Sequence, residues 1–248
     1  MQNPAYIVVT IDGPAGSGKS TVAYKLARTL AFVHLNSGAL FRAVGLEAEA
    51  RGITVRDPGT FAAENAGLSS YEESIAEVAR SLKFEFILKP SGETVFLVDG
   101  CDKNEQVFSQ RAGELASKIA ILGMLRQVLL EVQRSVAARV NVVVEGRDAG
   151  TVVFPSAVAK YFLEAGLEVR AKRRFDQIAA AKAEPIQDSD AVLGRIQAEL
   201  SQRDRRDSTR EIAPGIAAAD AAKIDTGALS EDQVVESIQT DLKQRGLI

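Results

Sequence analysis

The chain has 248 residues, 46% of them hydrophobic and 25% charged, with 30 Lys+Arg against 33 Asp+Glu and a formal net charge of −3. This composition is that of an ordinary globular protein and excludes a disordered or fibrous chain, and the mild acidity argues against general nucleic-acid binding. A lone cysteine (Cys101) and a lone histidine (His34) exclude an internal disulfide and a His/Cys zinc site. No apolar run reaches the ~18 residues of a spanning helix, and the first residues lack the basic start and apolar stretch of a secretory signal, so a cytoplasmic protein is expected.

Tyr6–Asp12 is a β-branched apolar run of the kind buried in a parallel sheet. Gly13–Lys19 is glycine-rich, and Ser20–Leu30 then places Val22, Ala23, Leu26, Ala27 and Leu30 at helical spacing. Strand, glycine loop and helix form the first half of a βαβ unit. Phe32–Leu35 reads as a short strand and Ala39–Arg51 as a helix closed by Gly52. Asp57–Val107 breaks the rhythm. A helix over Glu72–Ser81 leads to Lys83–Leu88 and Thr94–Val98, which alternate with period two around Pro90-Ser91-Gly92. That is an antiparallel hairpin, foreign to a parallel core, and it reads as an inserted subdomain. Helical patterns resume over Ser109–Arg139, with Gly123 as a candidate break. Strands are expected at Val140–Glu145, Lys160–Glu164 and, weakly, Ala222–Asp225. Helices are expected at Leu167–Ala181 and Ser189–Arg206, joined by the polar link Lys182–Asp188, and at Ser230–Arg245, where Ser230 and Gln233 form a capping box. Strands alternating with helices imply an α/β fold with a parallel sheet covered on both faces.

Gly13, Pro14, Ala15, Gly16, Ser17, Gly18, Lys19 and Ser20 fit G-x-x-x-x-G-K-[ST]. The glycines let backbone N–H groups converge on phosphate oxygens, and the next helix turns its positive end to the same anion. Lys19 is expected on the β/γ-phosphates, the Ser20 hydroxyl on Mg²⁺, and Thr21 beside them, so the bound species is a nucleoside triphosphate. No N-K-x-D motif and no D-x-x-G switch follows, which argues against a GTPase.

Two arginine clusters and one tripeptide carry further signal. Arg203, Arg206, Asp207 and Arg210 lie at i, i+3, i+4 and i+7 and share one face if the helix continues. Arginine forks suit phosphate, but a solvated helix face reads the same way. Arg170, Arg173 and Arg174 could ride a helical lid onto a transferring phosphoryl group, or simply solubilise a helix. Gly146-Arg147-Asp148 follows an apolar strand directly, where α/β sheets bind ligands, and Glu145 before it is either an acid near Mg²⁺ or an N-cap. His34 and Cys101 carry no such signal.

GPAGSGKS, LNSGALFR (Leu35–Arg42), VEGRDAGTVVFP (Val144–Pro155), RAKRR (Arg170–Arg174) and QRDRRDSTR (Gln202–Arg210) occur in that order. Together with the hairpin they resemble the bacterial cytidylate kinase family, from about Tyr6 to the final helix. The resemblance implies a P-loop nucleoside monophosphate kinase fold with a five-stranded parallel core. The core would span 1–56 and 108–248, with a monophosphate-binding insertion at about 57–107 and a lid at about 168–190. It implies phosphoryl transfer from ATP to CMP or dCMP, with Mg²⁺, by a monomer that engages neither nucleic acid nor membrane. By the same resemblance Ser37 and Arg42 would touch the acceptor near its phosphate. Ser117, Arg126 and Asp148 would read cytosine, and Arg147 and Arg206 would lie by the phosphates. Arg203 and Asp207 would meet the ribose, Arg210 would complete the acceptor site, and Arg174, with Arg170, would be the lid's contribution. Ser117 and Arg126 are out of phase on a straight helix, so the pair requires a break between them, and Gly123 lies there. The chain departs from the family's usual residues at Asn36 (Asp), Phe41 (Tyr), Ala149 (a bulky aliphatic) and Ser156 (Asp). The alternatives are a P-loop kinase of another small acceptor such as UMP, and a nucleotide-binding module on RNA.

Overall fold

The computed structural model describes residues 6–56, 65–180 and 188–248. Its strands form a five-stranded sheet and a separate three-stranded one. In chain order the elements begin β1 (Val8–Asp12), α1 (Lys19–Leu30), β2 (Val33–Asn36), α2 (Ser37–Ala50) and α3 (Asn65–Ser81). Next come β3 (Phe84–Leu88), β4 (Thr94–Val98), β5 (Cys101–Asp102), α4 (Asn104–Val107), α5 (Gln110–Ile119) and α6 (Gly123–Ala137). The last are β6 (Val142–Gly146), β7 (Ala159–Glu164), α7 (Leu167–Ala180), α8 (Ser189–Ser208), β8 (Ala222–Asp225) and α9 (Glu231–Gln244). The five-stranded sheet has the order β2-β6-β1-β7-β8, and its pairings β2–β6, β1–β7 and β7–β8 are parallel. Val9, Ile11, Val142, Val143 and Val144 have no exposed surface. This is why β1 and β6 read as near-continuous apolar runs rather than alternating ones.

The chain divides into two compact units. The first runs to Val8 and resumes over Ala27–Glu145. In it α2 packs on α5 and α3 on α6 around Leu40, Val44, Ile75, Ile119, Leu125 and Leu129. The unit is therefore drawn wider than the inserted stretch 57–107, because α3 finds its partner in α6. The expected hairpin is present: Phe84 pairs with Val98, Leu88 with Thr94, and the Phe86 and Phe96 rings meet at 5.0 Å. Gly92 turns at φ +79°, and a Cβ there would lie 2.9 Å from the Arg28 carbonyl, so only glycine fits. A third strand, β5, pairs with β4 across Asp99-Gly100, both at positive φ. That Asp-Gly pair is a two-residue hairpin signal, and it adds a strand that the expected two-stranded hairpin did not include. The break between α5 and α6 falls where Gly123 was expected to put it. The beginning of the insertion and the link 181–187 lie outside the described residues.

The second unit comprises Val9–Leu26 and Gly146–Ile248. Here α7 and α8 pack together over Ala15, Ala171, Ile196 and Leu200. Residues Ala149–Val153 form a π-helical turn, closed by Phe154 N–H donating to the Ala149 carbonyl at 2.7 Å, a feature with no periodic signature. Helix α8 runs to Ser208, so Asp207 is still helical. Helix α9 starts with the capping box expected of Ser230 and Gln233. Among the described residues no helix is long and apolar enough to cross a membrane.

Candidate active site

In the second unit the glycine loop leaves β1 and enters α1. Gly13 sits at φ +152°, and a Cβ there would fall 2.1 Å from the Leu163 carbonyl. Gly16 sits at φ +75°, and its Cβ would press on the Arg170 Cβ at 3.1 Å. The loop's carbonyls are held from outside. Gly13 O accepts from Arg147 at 2.7 Å, Ala15 O from Arg170 at 3.1 Å, and Ser17 O from the Thr226 hydroxyl at 2.8 Å. Lys19 Nζ donates to Pro14 O at 3.1 Å. Ser20 is the exposed second residue of α1, and Thr21 follows, half-buried. The Ser17 hydroxyl is fully buried and has no hydrogen-bond partner among the described residues. Glycines that admit no Cβ, carbonyls turned outward and an orphan hydroxyl together fit a phosphate cradle with Ser20 placed for a metal.

The surrounding side chains explain how this loop is maintained. Arg147 Nε lies 3.2 Å from Asp207 Oδ2, and burial pushes its guanidinium down to about 10, against the opposing effect of Asp207. Asp207 also gathers Arg210 at 3.8 Å and Arg203 at 4.0 Å. Arg206, expected on the same face, is exposed. The three arginines of α7 separate as well. Arg170 is buried and donates to Ala165 O, Ala15 O and Asp204. Arg173 donates to the Thr226 hydroxyl and carbonyl, and Arg174 alone is exposed, beside Gln177. Two of the three therefore support the loop, and Arg174 alone faces solvent.

Beyond the parallel strand, Asp148 is buried and precedes the π-helical turn. Asp12, at the end of β1, accepts the N–H groups of Ala149 at 2.9 Å and Gly150 at 2.7 Å. Burial raises its carboxyl to about 6; those two hydrogen bonds and Lys19 oppose the rise, and the charge of Asp148 adds to it. Ala149 is itself buried at this anchor.

The first unit holds the remaining expected residues. Ser37 opens α2, and its hydroxyl donates to the buried Gln133 Oε1 at 2.5 Å. Asn36 caps the helix by accepting from Ala39 N–H, a task Asn and Asp perform alike. Arg42 donates to Val107 O at 3.0 Å and lies 5.6 Å from the Phe108 ring centre. It also runs along Gly113 of α5, and Ser117 is one helical turn further on, half-buried. Arg126 donates to Ala120 O at 2.9 Å, and its guanidinium sits 5.6 Å from the Phe41 ring centre. Phe41 thus supplies the cation–π face that a tyrosine ring would, without the hydroxyl. Two readings are corrected. Glu145 is not an N-cap, since β6 continues through Gly146, and His34 is not idle: its Nε2 is 3.1 Å from Glu145 Oε1.

Sequence reasoning missed Asp12, Asp204, Thr226 and Gln133. Asp12 alone carried a usable signal, an acid closing a buried strand immediately before the glycine loop. A G-x-x-x-x-G-K-S loop between the first strand of a parallel sheet and the helix after it defines the P-loop class of phosphate-binding α/β proteins. Within that class the comparisons are specific. The cytidylate kinase family model matches residues 9–244. The chain is 40% identical over 240 residues to a cytidylate kinase of Citrifermentans bemidjiense, covering 96% of this chain and 94% of the relative. It is 35% identical over 241 residues to cytidylate kinase 1 of Haemophilus influenzae, covering 97% and 95%. The chain belongs to the cytidylate kinase family.

Proposed function

We propose that the protein transfers the γ-phosphoryl group of ATP to CMP or dCMP, giving ADP and CDP or dCDP. The observation that carries this reading is the family match across residues 9–244. An oxygen of the acceptor phosphate forms the new bond to the γ-phosphorus, the bond to the bridging oxygen breaks, and ADP leaves with its electron pair. That acceptor oxygen is ionised at neutral pH, so the protein supplies no strong base. Its work is alignment and neutralisation of charge.

The N–H groups of the loop Gly13–Thr21, Pro14 excepted, and the Lys19 ammonium hold the donor phosphates. Mg²⁺ bound at Ser20 would neutralise part of the triphosphate charge. Arg147, Arg174 and Arg206 serve the phosphates. The two bonds seen at Arg147 do not exhaust a group with five N–H donors. Ser37 and Arg42 serve the acceptor phosphate, and Ser117, Arg126 and Asp148 serve cytosine. Arg203 and Asp207 serve the ribose, and Arg210 completes the acceptor site. The protein acts in this reading as a cytoplasmic monomer with a lid at about 168–190 and a monophosphate-binding insertion at about 57–107.

A coupled assay with ATP against CMP, dCMP, UMP, AMP and shikimate tests the reading. CMP and dCMP should be turned over well ahead of the others. Faster turnover of UMP or shikimate, or none of CMP, would overturn it.

A further inference from the structure

Two chains of contacts run from α8 to the phosphate loop in the second unit. One joins Asp207, Arg147 and Gly13 O, and involves residues already assigned to substrate. The other joins Asp204 and Arg170, to which the proposed reaction gives no substrate contact, to Ala15 O. Arg170 is 7% exposed and spends its guanidinium on Ala165 O (2.9 Å), Ala15 O (3.1 Å) and Asp204 Oδ2 (2.5 Å). Its Cβ also lies against Gly16, at 3.1 Å from where a Cβ on that glycine would be.

The peptide plane gives this contact a consequence beyond packing. A trans peptide holds its C=O and the next N–H on opposite sides. Pinning Ala15 O toward Arg170 therefore aims the Gly16 N–H the other way. The Thr226 hydroxyl, backed by Arg173, does the same through Ser17 O for the Gly18 N–H. The Gly13 O contact differs, because Pro14 has no N–H to aim.

We infer that Asp204 is a positioning residue for the donor nucleotide, holding Arg170 so that the Gly16 amide faces the phosphates of ATP. The inference rests on the loop being the ATP site of the proposed reaction. Removing the charge at Asp204 loosens the Arg170 fork, lets the Ala15–Gly16 peptide rotate, and costs the donor phosphates an aligned donor. The acceptor is unaffected by this route.

Asp204→Asn and Arg170→Lys are the variants; the second keeps a cation beside Asp204 and so protects the fold. Calorimetry of Mg-ATP without acceptor should show binding weakened about tenfold in each. KM for CMP should stay within about twofold of wild type, and the double variant should be no weaker than the poorer single one. Asp204→Glu should recover most of the affinity. Unchanged ATP affinity with a lowered Tm would overturn the inference, as would equal losses for ATP and CMP or additive losses in the double variant. A wild-type protein that binds ATP but does not phosphorylate CMP would sink the proposed reaction and leave this test standing.

Discussion

Arg147 meets Asp207 at 3.2 Å while donating to the Gly13 carbonyl at 2.7 Å, so one side chain joins a helix α8 carboxylate to the entry of the phosphate loop. If Asp207 served only a ribose hydroxyl, its loss would touch CMP and spare dCMP. The bridge changes that expectation. Asp207→Ala leaves the half-buried Arg147 cation without its carboxylate, and kcat/KM should fall about tenfold or more on dCMP as well. The loss on CMP should be larger, by the 2′-OH contact that only CMP can make. Parallel kinetics on the two acceptors checks this, and equal losses would limit Asp207 to orienting Arg147, Arg203 and Arg210.

Lys19 rests on Pro14 O within its own loop, so it is not part of the core packing. Lys19→Ala should lower kcat/KM by about three orders of magnitude, because it removes a charge met most strongly in the transition state. Thermal unfolding should shift little. A variant keeping more than a tenth of wild-type activity would make the loop structural here.

Asp148 is buried at the start of the π-helical turn and is assigned to the 4-amino group of cytosine. Uracil presents an acceptor at that position, which a carboxylate oxygen opposes. One unpaired buried polar group costs about 1–3 kcal/mol, so CMP should exceed UMP in kcat/KM by roughly a hundredfold. Asp148→Ala should shrink that ratio, mainly by harming CMP. Competition between the two acceptors at saturating Mg-ATP measures it, and a wild-type ratio below about threefold defeats the assignment.

Asp12 has its carboxyl raised by burial from 3.8 to about 6, so the folded chain holds that proton more tightly than the unfolded chain does. Stability then falls as pH rises from about 4 to 6 and levels off above, since between those values the folded state binds the extra proton. The contribution is at most roughly 3 kcal/mol. Urea unfolding of wild type and Asp12→Asn across pH 4 to 8 should show this slope in the difference between them. A difference independent of pH would show that Asp12 titrates normally.

The amino-acid sequence alone determined the features that are local in the chain. The strand–glycine loop–helix start, the hairpin around Gly92 and the capping box of α9 each rest on neighbours a few residues apart. Backbone conformation and short hydrogen bonds decide such features wherever the segment lies. The helix break at Gly123 was legible for the same reason. The π-helical turn was not, because it has no periodicity and is held from afar by Asp12.

Tertiary structure alone decided which arginine does what. Arg170, Arg173 and Arg174 look alike in sequence, as do Arg203, Arg206 and Arg210. Arg147 and Gly13 O are 134 residues apart, and no spacing rule joins them. A buried guanidinium has to satisfy its donors, and what it finds depends on which elements pack beside it. Packing of α7 and α8 against the glycine loop placed Arg170 and Arg173 behind its carbonyls and left Arg174 and Arg206 in solvent.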